Sequence, residues 1–229
     1  MGNLFVQSAL CFYSDMEEEI PPINIFTTAV EKLKASDPVL SDVIDAVGKC
    51  TLSRKENRYV SLIGSVVSQQ LSGRAAESIF SRLSQELSGR ITPENVLNLT
   101  HHQFRRSGIS ASKESYIRGI SEKFALDRDF LSELNARPDD EVLTQLTRIR
   151  GVGVWTAQMF MIFSMNRLDI LPLQDAGLRR GISKFYCSGE HPDDREIIRI
   201  SEKWKPFRSV AVWYIWRGID GEPKGPIQA

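Results

Sequence analysis

The chain has 229 residues, of which 41% are hydrophobic and 25% charged, a composition that suits one large globular domain or two lobes sharing a core. It excludes disordered and fibrous proteins. Apolar runs such as 159–163 and 210–213 are far shorter than the roughly 20 residues that span a bilayer, so we expect a soluble protein with no membrane partner. The 29 basic and 29 acidic residues cancel, which by itself argues against nucleic acid as a partner.

Charge is not spread evenly along the chain. Residues 1–22 contain four acidic and no basic residues, so the remaining 207 residues hold 29 basic and 25 acidic ones, a net charge of +4. The first 22 residues show no sustained periodicity and end in two prolines. We therefore predict a flexible acidic arm over 1–22 and one domain of two helical lobes over 23–229.

The cysteines and histidines give no sign of a metal site. They are Cys11, Cys50, Cys187, His101, His102 and His191. Three cysteines cannot supply the four thiolates of an iron–sulfur cluster, and the histidines lack zinc-ligand spacing. No secretory signal precedes Cys11, so we expect a reduced, intracellular setting and a protein that is not secreted.

The dominant pattern in the body of the chain is helical. Apolar residues recur every three or four positions over 59–67 and 116–124, and no stretch alternates with period two. Helix-start signals stand at Thr92-Pro93, at 139–141 and at 191–194. These features predict an all-α fold of about ten helices joined by short turns.

Residues 143–158 predict two helices joined by a Gly-Val-Gly hairpin. Gly151 and Gly153 would let the backbone turn tightly and approach another surface without an intervening side chain. The unpaired N–H groups at the start of the second helix suit a phosphate. A plain packing joint between two helices is the alternative, and Gly-x-Gly alone does not exclude it.

A longer set of motifs resembles the helix-hairpin-helix DNA glycosylase superfamily. Residues 149–157 read Ile-Arg-Gly-Val-Gly-Val-Trp-Thr-Ala, and 170–175 supply the Pro-containing loop that ends in an aspartate. Segments 66–76 and 204–217, together with Ser107-Gly108-Ile109-Ser110 and the following Lys113, resemble the 3-methyladenine (alkylbase) branch in particular. The resemblance covers about 25–220 and implies a DNA-binding cleft between the two lobes.

The resemblance assigns DNA-contacting roles to the hairpin and to the loop after residue 68. Phosphate would be held by Gly151, Val152, Gly153 and Thr156, and a monovalent Na+ or K+ by the backbone carbonyls of Thr147, Ile149 and Gly151. Gln69, Gln70, Leu71 and Ser72 would enter the minor groove and fill the gap left by a rotated nucleotide. For the glutamines, amides that cap a helix end are the alternative.

The family's catalytic carboxylate corresponds to Asp175. Breaking an N-glycosidic bond leaves positive charge on the sugar, so a fixed anion stabilises the transition state. Asp175 also precedes the predicted helix 176–186 and would make a good N-cap, and both roles can coexist. Trp155 and Trp216 match aromatic positions of the base pocket. Because Trp155 stands where strand-cleaving relatives carry a lysine, the resemblance disfavours lyase chemistry.

These features support a monofunctional alkylbase DNA glycosylase that uses water as nucleophile and needs no cofactor. The alternative is a non-enzymatic or weakly active protein that binds abasic or damaged DNA and presents it to later repair steps. Departures from the family at Ser72, Gln174 and Ala176 favour that alternative, and a helical interaction module is a third hypothesis. We expect a monomer acting on double-stranded DNA, in the nucleus of a eukaryote and otherwise in the cytoplasm.

Overall fold

A computed structural model of the chain describes residues 24–52, 57–71 and 73–220. The predicted arm over 1–22, Cys11 and Ser72 lie outside these residues. The described part contains thirteen α-helices and one 3-10 turn, and no strand. The helices are α1 (Asn24–Ser36), α2 (Pro38–Val47), α3 (Arg58–Ser68), α4 (Gly73–Glu86), α5 (Pro93–Leu97), α6 (His101–Ser107), α7 (Ala111–Leu126), α8 (Phe130–Asn135), α9 (Asp139–Thr147), α10 (Val154–Phe163), α11 (Ala176–Tyr186), α12 (Asp194–Ser201) and α13 (Arg208–Asp220), with the 3-10 turn at Glu202–Trp204.

The all-α prediction is confirmed, and a helix begins at each of the three start signals predicted from the sequence. Thr92 caps α5 through the backbone N–H of Asn95, and Asp193 caps α12 through that of Glu196. α9 begins at Asp139 with three acidic residues in its first turn, which favours a helix N-terminus electrostatically. The helix count exceeds the predicted ten because short helices such as α5 and α8, of five and six residues, are too brief to show a period.

The helices form two compact units. The first contains α3 to α10, and its core centres on α3, whose residues 61–68 are all buried. This helix packs against α4, α7 and α10. The apolar positions that predicted α3 therefore form the centre of the first unit.

The second unit combines α1 and α2 with α11, α12 and α13. α13 packs against α2 and α11, and its residues 210–216 are at most 3% exposed. Gly181 permits the close crossing of α11 and α13, because a Cβ there would lie 2.2 Å from Cγ2 of Ile215. No helix among the described residues combines the length and hydropathy needed to cross a membrane.

Candidate active site

The predicted helix-hairpin-helix is present as α9, the turn over 148–153 and α10, and the two helices pack together. Gly151 adopts φ +90°, a conformation that side chains other than glycine rarely tolerate. A Cβ at this position would also lie 2.2 Å from Cγ of Tyr116. The hairpin therefore requires glycine at 151 for two separate reasons, its backbone conformation and its close approach to α7.

α10 begins with N–H groups that no side chain caps. Gly153 is the N-cap, in an extended conformation, and Gly153 and Val154 are exposed, Val154 by 54%. Val152 and Thr156 are buried, so of the predicted phosphate residues Gly153 presents its backbone most openly. An uncapped, exposed helix start of this kind suits an anion.

The glutamine loop is attached directly to the hairpin. The side-chain amide of Gln69 donates to the carbonyl oxygen of Gly151 at 3.0 Å and lies 3.3 Å from Oγ1 of Thr156. The structure thus brings together two regions that are 82 residues apart in sequence. Gln70, which follows, is exposed and adopts φ +57°, whereas Leu71 is half-buried.

Lys113 holds the backbone of the same loop, a contact that the sequence did not predict. Its Nζ donates to the carbonyl oxygens of Val67 and Gln69, both at 2.7 Å. Partial burial lowers the pKa of this lysine. The only sequence signal was its place in the Ser107–Lys113 motif, which carries no indication of the partner.

Asp175 is a buried N-cap of α11. Its Oδ1 accepts the backbone N–H of Leu178 at 2.7 Å and the indole N–H of Trp216 at 2.8 Å, and the residue is 3% exposed. The N-cap role predicted for Asp175 is therefore present in the structure. Trp216 is only 1% exposed, and the structure makes it a direct partner of the carboxylate.

The loop that leads into Asp175 is held by Arg179. Its guanidinium donates to the carbonyl oxygen of Leu173 at 3.0 Å and forms an ion pair with Asp194. Asp194 also accepts from the side chain of Gln174 at 3.2 Å. These contacts tie the residues that precede Asp175 to α11 and α12.

Trp155 lies in the first turn of α10 and is half-buried. α10 contains no lysine, so no amine occupies the position from which lyase-competent relatives form a Schiff base. The pocket roles of Trp155 and Trp216 stay predictions.

The hairpin carbonyls are compatible with a monovalent cation. The Ile149 oxygen accepts the N–H of Val152 and the Gly151 oxygen accepts from Gln69, each at 3.0 Å, and a carbonyl keeps a second lone pair. These oxygens can therefore still accept a cation, and the monovalent cation site stays a prediction. Among the described residues, no cluster of His, Cys, Asp or Glu could hold a metal ion.

The described cysteines are poor nucleophiles. Burial raises the pKa of the Cys50 thiol to about 11 and also raises that of Cys187. Since the thiolate is the reactive form, burial makes both thiols less nucleophilic than an exposed cysteine.

A family model, the HhH-GPD superfamily of base excision DNA repair proteins, matches residues 63–207. The chain belongs to this superfamily. DNA-3-methyladenine glycosylase 1 of Schizosaccharomyces pombe is 32% identical over 89% of this chain and 92% of its own length. The alkylbase DNA glycosidase-like protein mag2 of the same yeast is 29% identical over 84% and 93%.

Solved structures agree with the sequence relatives. A DNA-3-methyladenine glycosidase from Bacillus halodurans superposes with a TM-score of 0.76 at 35% identity, over 87% of this chain and 90% of that one. The S. pombe 3-methyladenine glycosylase Mag1, solved in complex with abasic DNA, gives a TM-score of 0.73 at 31% identity, over 82% and 95%. The resemblance inferred from the motifs is confirmed.

Proposed function

We propose that this base excision repair protein hydrolyses the N-glycosidic bond of alkylated purines in double-stranded DNA. The observation that carries the proposal is Asp175, a buried carboxylate oriented by Leu178 and Trp216, in a chain whose relatives are named 3-methyladenine glycosylases. An alkylated purine is already cationic, so it departs without protonation by a second acid.

Asp175 acts as a fixed anion in this mechanism. As the glycosidic bond breaks, positive charge develops on the sugar, and a carboxylate whose orientation is set beforehand stabilises it without reorganisation. Water then attacks the sugar, because α10 offers no amine that could form a covalent intermediate. The product is an intact abasic strand and a free base, and no cofactor takes part.

The hairpin and the glutamine loop would hold the DNA. Phosphate binds at the uncapped start of α10, while the exposed Gln70 enters the base stack at the flipped nucleotide. The complex of Mag1 with abasic DNA supports this choice of partner. We propose a monomer that acts where the DNA lies, in the nucleus of a eukaryote or the cytoplasm of a prokaryote.

A second candidate is a protein that binds abasic sites with little or no excision. The hydrogen bond between Gln69 and Gly151 favours it, since this contact joins the two DNA-contacting segments without using Asp175. The name of one relative, a glycosidase-like protein, is compatible with it.

The deciding experiment incubates the full chain with duplexes that carry 3-methyladenine, 7-methylguanine or a tetrahydrofuran abasic analogue. Free base is measured by chromatography and binding by fluorescence anisotropy. Release of base by the wild type, lost in Asp175→Asn, establishes the glycosylase. Tight abasic binding without release establishes the second candidate, and absence of binding at low salt refutes both.

A further inference from the structure

We propose that Lys113 is a positioning residue that clamps the backbone of the glutamine loop and thereby sets the geometry with which Gln70 meets DNA. This inference rests on the proposed function, because it concerns how the same protein fills a gap in the base stack. It adds a residue of α7 that contacts neither the base nor the reacting atoms.

The backbone carbonyls at the end of α3 show what Lys113 supplies. The last carbonyls of a helix have no partners within it and need other donors. Here the Val66 oxygen accepts the N–H of Gln69 at 3.3 Å, and the Ser68 oxygen accepts that of Leu71 at 3.1 Å. The carbonyl oxygens of Val67 and Gln69, which alternate with these along the chain, both accept from Nζ of Lys113 at 2.7 Å.

The amine therefore bridges the helix and the loop. Val67 is fully buried in α3, whereas Gln69 is the C-cap, where the chain leaves the helix. A positive charge at the C-terminal end of a helix is also favoured by the helix dipole. Together with the Gln69 amide on Gly151, the bridge holds the residue before Gln70 at both its backbone and its side chain.

Lys113 occupies a position in α7 that does not favour a positive charge. It lies in the first turn of α7, where Ser110 accepts its backbone N–H, and a positive charge in a first turn opposes the helix dipole. The partial burial that lowers its pKa also disfavours the ammonium form. The contacts with the loop, rather than local helix preference, account for a lysine at this position.

The test compares Lys113→Met with Lys113→Arg and Lys123→Met in the full chain. Lys113→Met removes the donor and keeps the length of the side chain, whereas Lys113→Arg retains charge and donors. Lys123 is on the same helix but pairs with Asp127 at 2.7 Å, so Lys123→Met is a control for loss of one positive charge. Binding is measured on intact and tetrahydrofuran duplexes, the latter with 2-aminopurine beside the gap.

We expect Lys113→Met to lower the preference for abasic over intact duplex about tenfold, since hydrogen bonds from a charged donor are among the stronger ones. The 2-aminopurine signal should change because the gap is filled differently. Lys113→Arg should restore most of the preference, and Lys123→Met should leave it unchanged. The log–log salt slope should stay the same in Lys113→Met, whereas loss of a direct phosphate contact would reduce it by about 0.9.

An unchanged preference and unchanged 2-aminopurine signal in Lys113→Met would overturn the clamp, as would a reduced salt slope, which would make Lys113 a phosphate ligand. If Lys113→Met does not fold, Lys113→Gln, which keeps a neutral donor, replaces it, with an intermediate loss of preference expected and no loss overturning the clamp. A wild type that does not bind either duplex at low salt refutes the proposed DNA function, and one that binds both without preference refutes the gap-filling role of the glutamine loop and with it the clamp. A wild type with the preference and a variant equal to it refutes the clamp alone.

Discussion

The indole N–H of Trp216 lies 2.8 Å from Oδ1 of Asp175, an atom that also accepts the backbone N–H of Leu178. A second buried aspartate in the same unit has a parallel arrangement. Asp37 caps α2, is fully buried, and accepts the indole N–H of Trp204 at 2.9 Å. The two pairs therefore allow the carboxylate that we propose as catalytic to be compared with a structural one in the same protein.

Asp175→Asn should lower single-turnover excision of a methylpurine by roughly 10²- to 10³-fold, the effect of losing one electrostatic stabiliser. Asparagine is also a good N-cap and can accept both hydrogen bonds, so the free energy of unfolding should change by less than about 1 kcal/mol. DNA affinity should hold or rise because a negative charge is removed. An unchanged rate would leave Asp175 with helix capping alone.

Trp216→Phe should lower excision about tenfold, because Oδ1 of Asp175 loses a donor that orients it. The matched control is Trp204→Phe, which removes the equivalent donor from Asp37. Both variants should lose about 2 kcal/mol of stability through a buried hydrogen bond and a small cavity. Only Trp216→Phe should slow the single-turnover rate at a temperature where both proteins are folded, and equal rates would show that its indole acts through packing alone.

The wild type should leave an intact abasic strand. By the family resemblance Trp155 stands at the position of the lyase lysine, and α10 contains no lysine, so we expect borohydride to trap no adduct with lesion DNA. Denaturing gel electrophoresis separates the outcomes, with a strand-cleaving glycosylase run as the positive control. A trapped adduct would refute the monofunctional assignment.

Alanine substitutions at the two hairpin glycines should have different effects, one on protein stability and the other on DNA binding. Gly151→Ala forces a side chain onto φ +90° and into the ring of Tyr116, and we expect a loss of at least about 2 kcal/mol in unfolding free energy. A Cβ at Gly153 meets no atom within 4 Å, so Gly153→Ala should keep its melting temperature within a few degrees.

Gly153→Ala should nevertheless weaken binding to intact and abasic duplex alike, because the added methyl group would lie where we propose that phosphate approaches the backbone. Anisotropy titrations at two salt concentrations measure this effect. Full affinity in Gly153→Ala would place the phosphate contact elsewhere.

The two glutamines should behave differently. Gln70→Ala should remove most of the preference for abasic DNA and leave affinity for intact duplex and the salt slope unchanged, since unstacking is cheapest where a base is already missing. Gln69→Ala should weaken binding to both duplexes, because the loop loses its attachment to Gly151. Identical behaviour of the two variants would contradict this division of roles.

Much of the fold follows from local signals in the sequence. The helices that begin at Pro93 and Asp194 have side-chain caps at Thr92 and Asp193, and the helix that begins at Asp139 has three acidic residues in its first turn. Such local signals can be read from a single sequence. The apolar periodicity of α3 and α7 reflects burial of one or more faces against neighbouring helices. Short helices such as α8 escape this reasoning because two turns do not define a period.

The motifs predict individual site residues, whose roles stay predictions, but they do not predict the contacts between those residues. Trp216 and Asp175 are 41 residues apart, Lys113 and Gln69 are 44 apart, and Gln69 and Gly151 are 82 apart. Each contact depends on how helices cross, which no local pattern specifies. The resemblance predicts a pocket role for Trp216, which stays a prediction, whereas the hydrogen bond from its indole N–H to Asp175 is visible only in the structure.

The carboxylate of Asp37 also constrains the order in which the chain acquires structure during synthesis. Its partners Tyr186 and Trp204 follow it by 149 and 167 residues, and at roughly 5–20 residues per second the ribosome needs about 10 to 30 s to deliver them. The helices of the first unit lie between Asp37 and these partners in the sequence, within residues 57–165. A nascent chain can therefore fold the first unit, which contains the helix-hairpin-helix, before the helices that bury α1 and α2 have been synthesised.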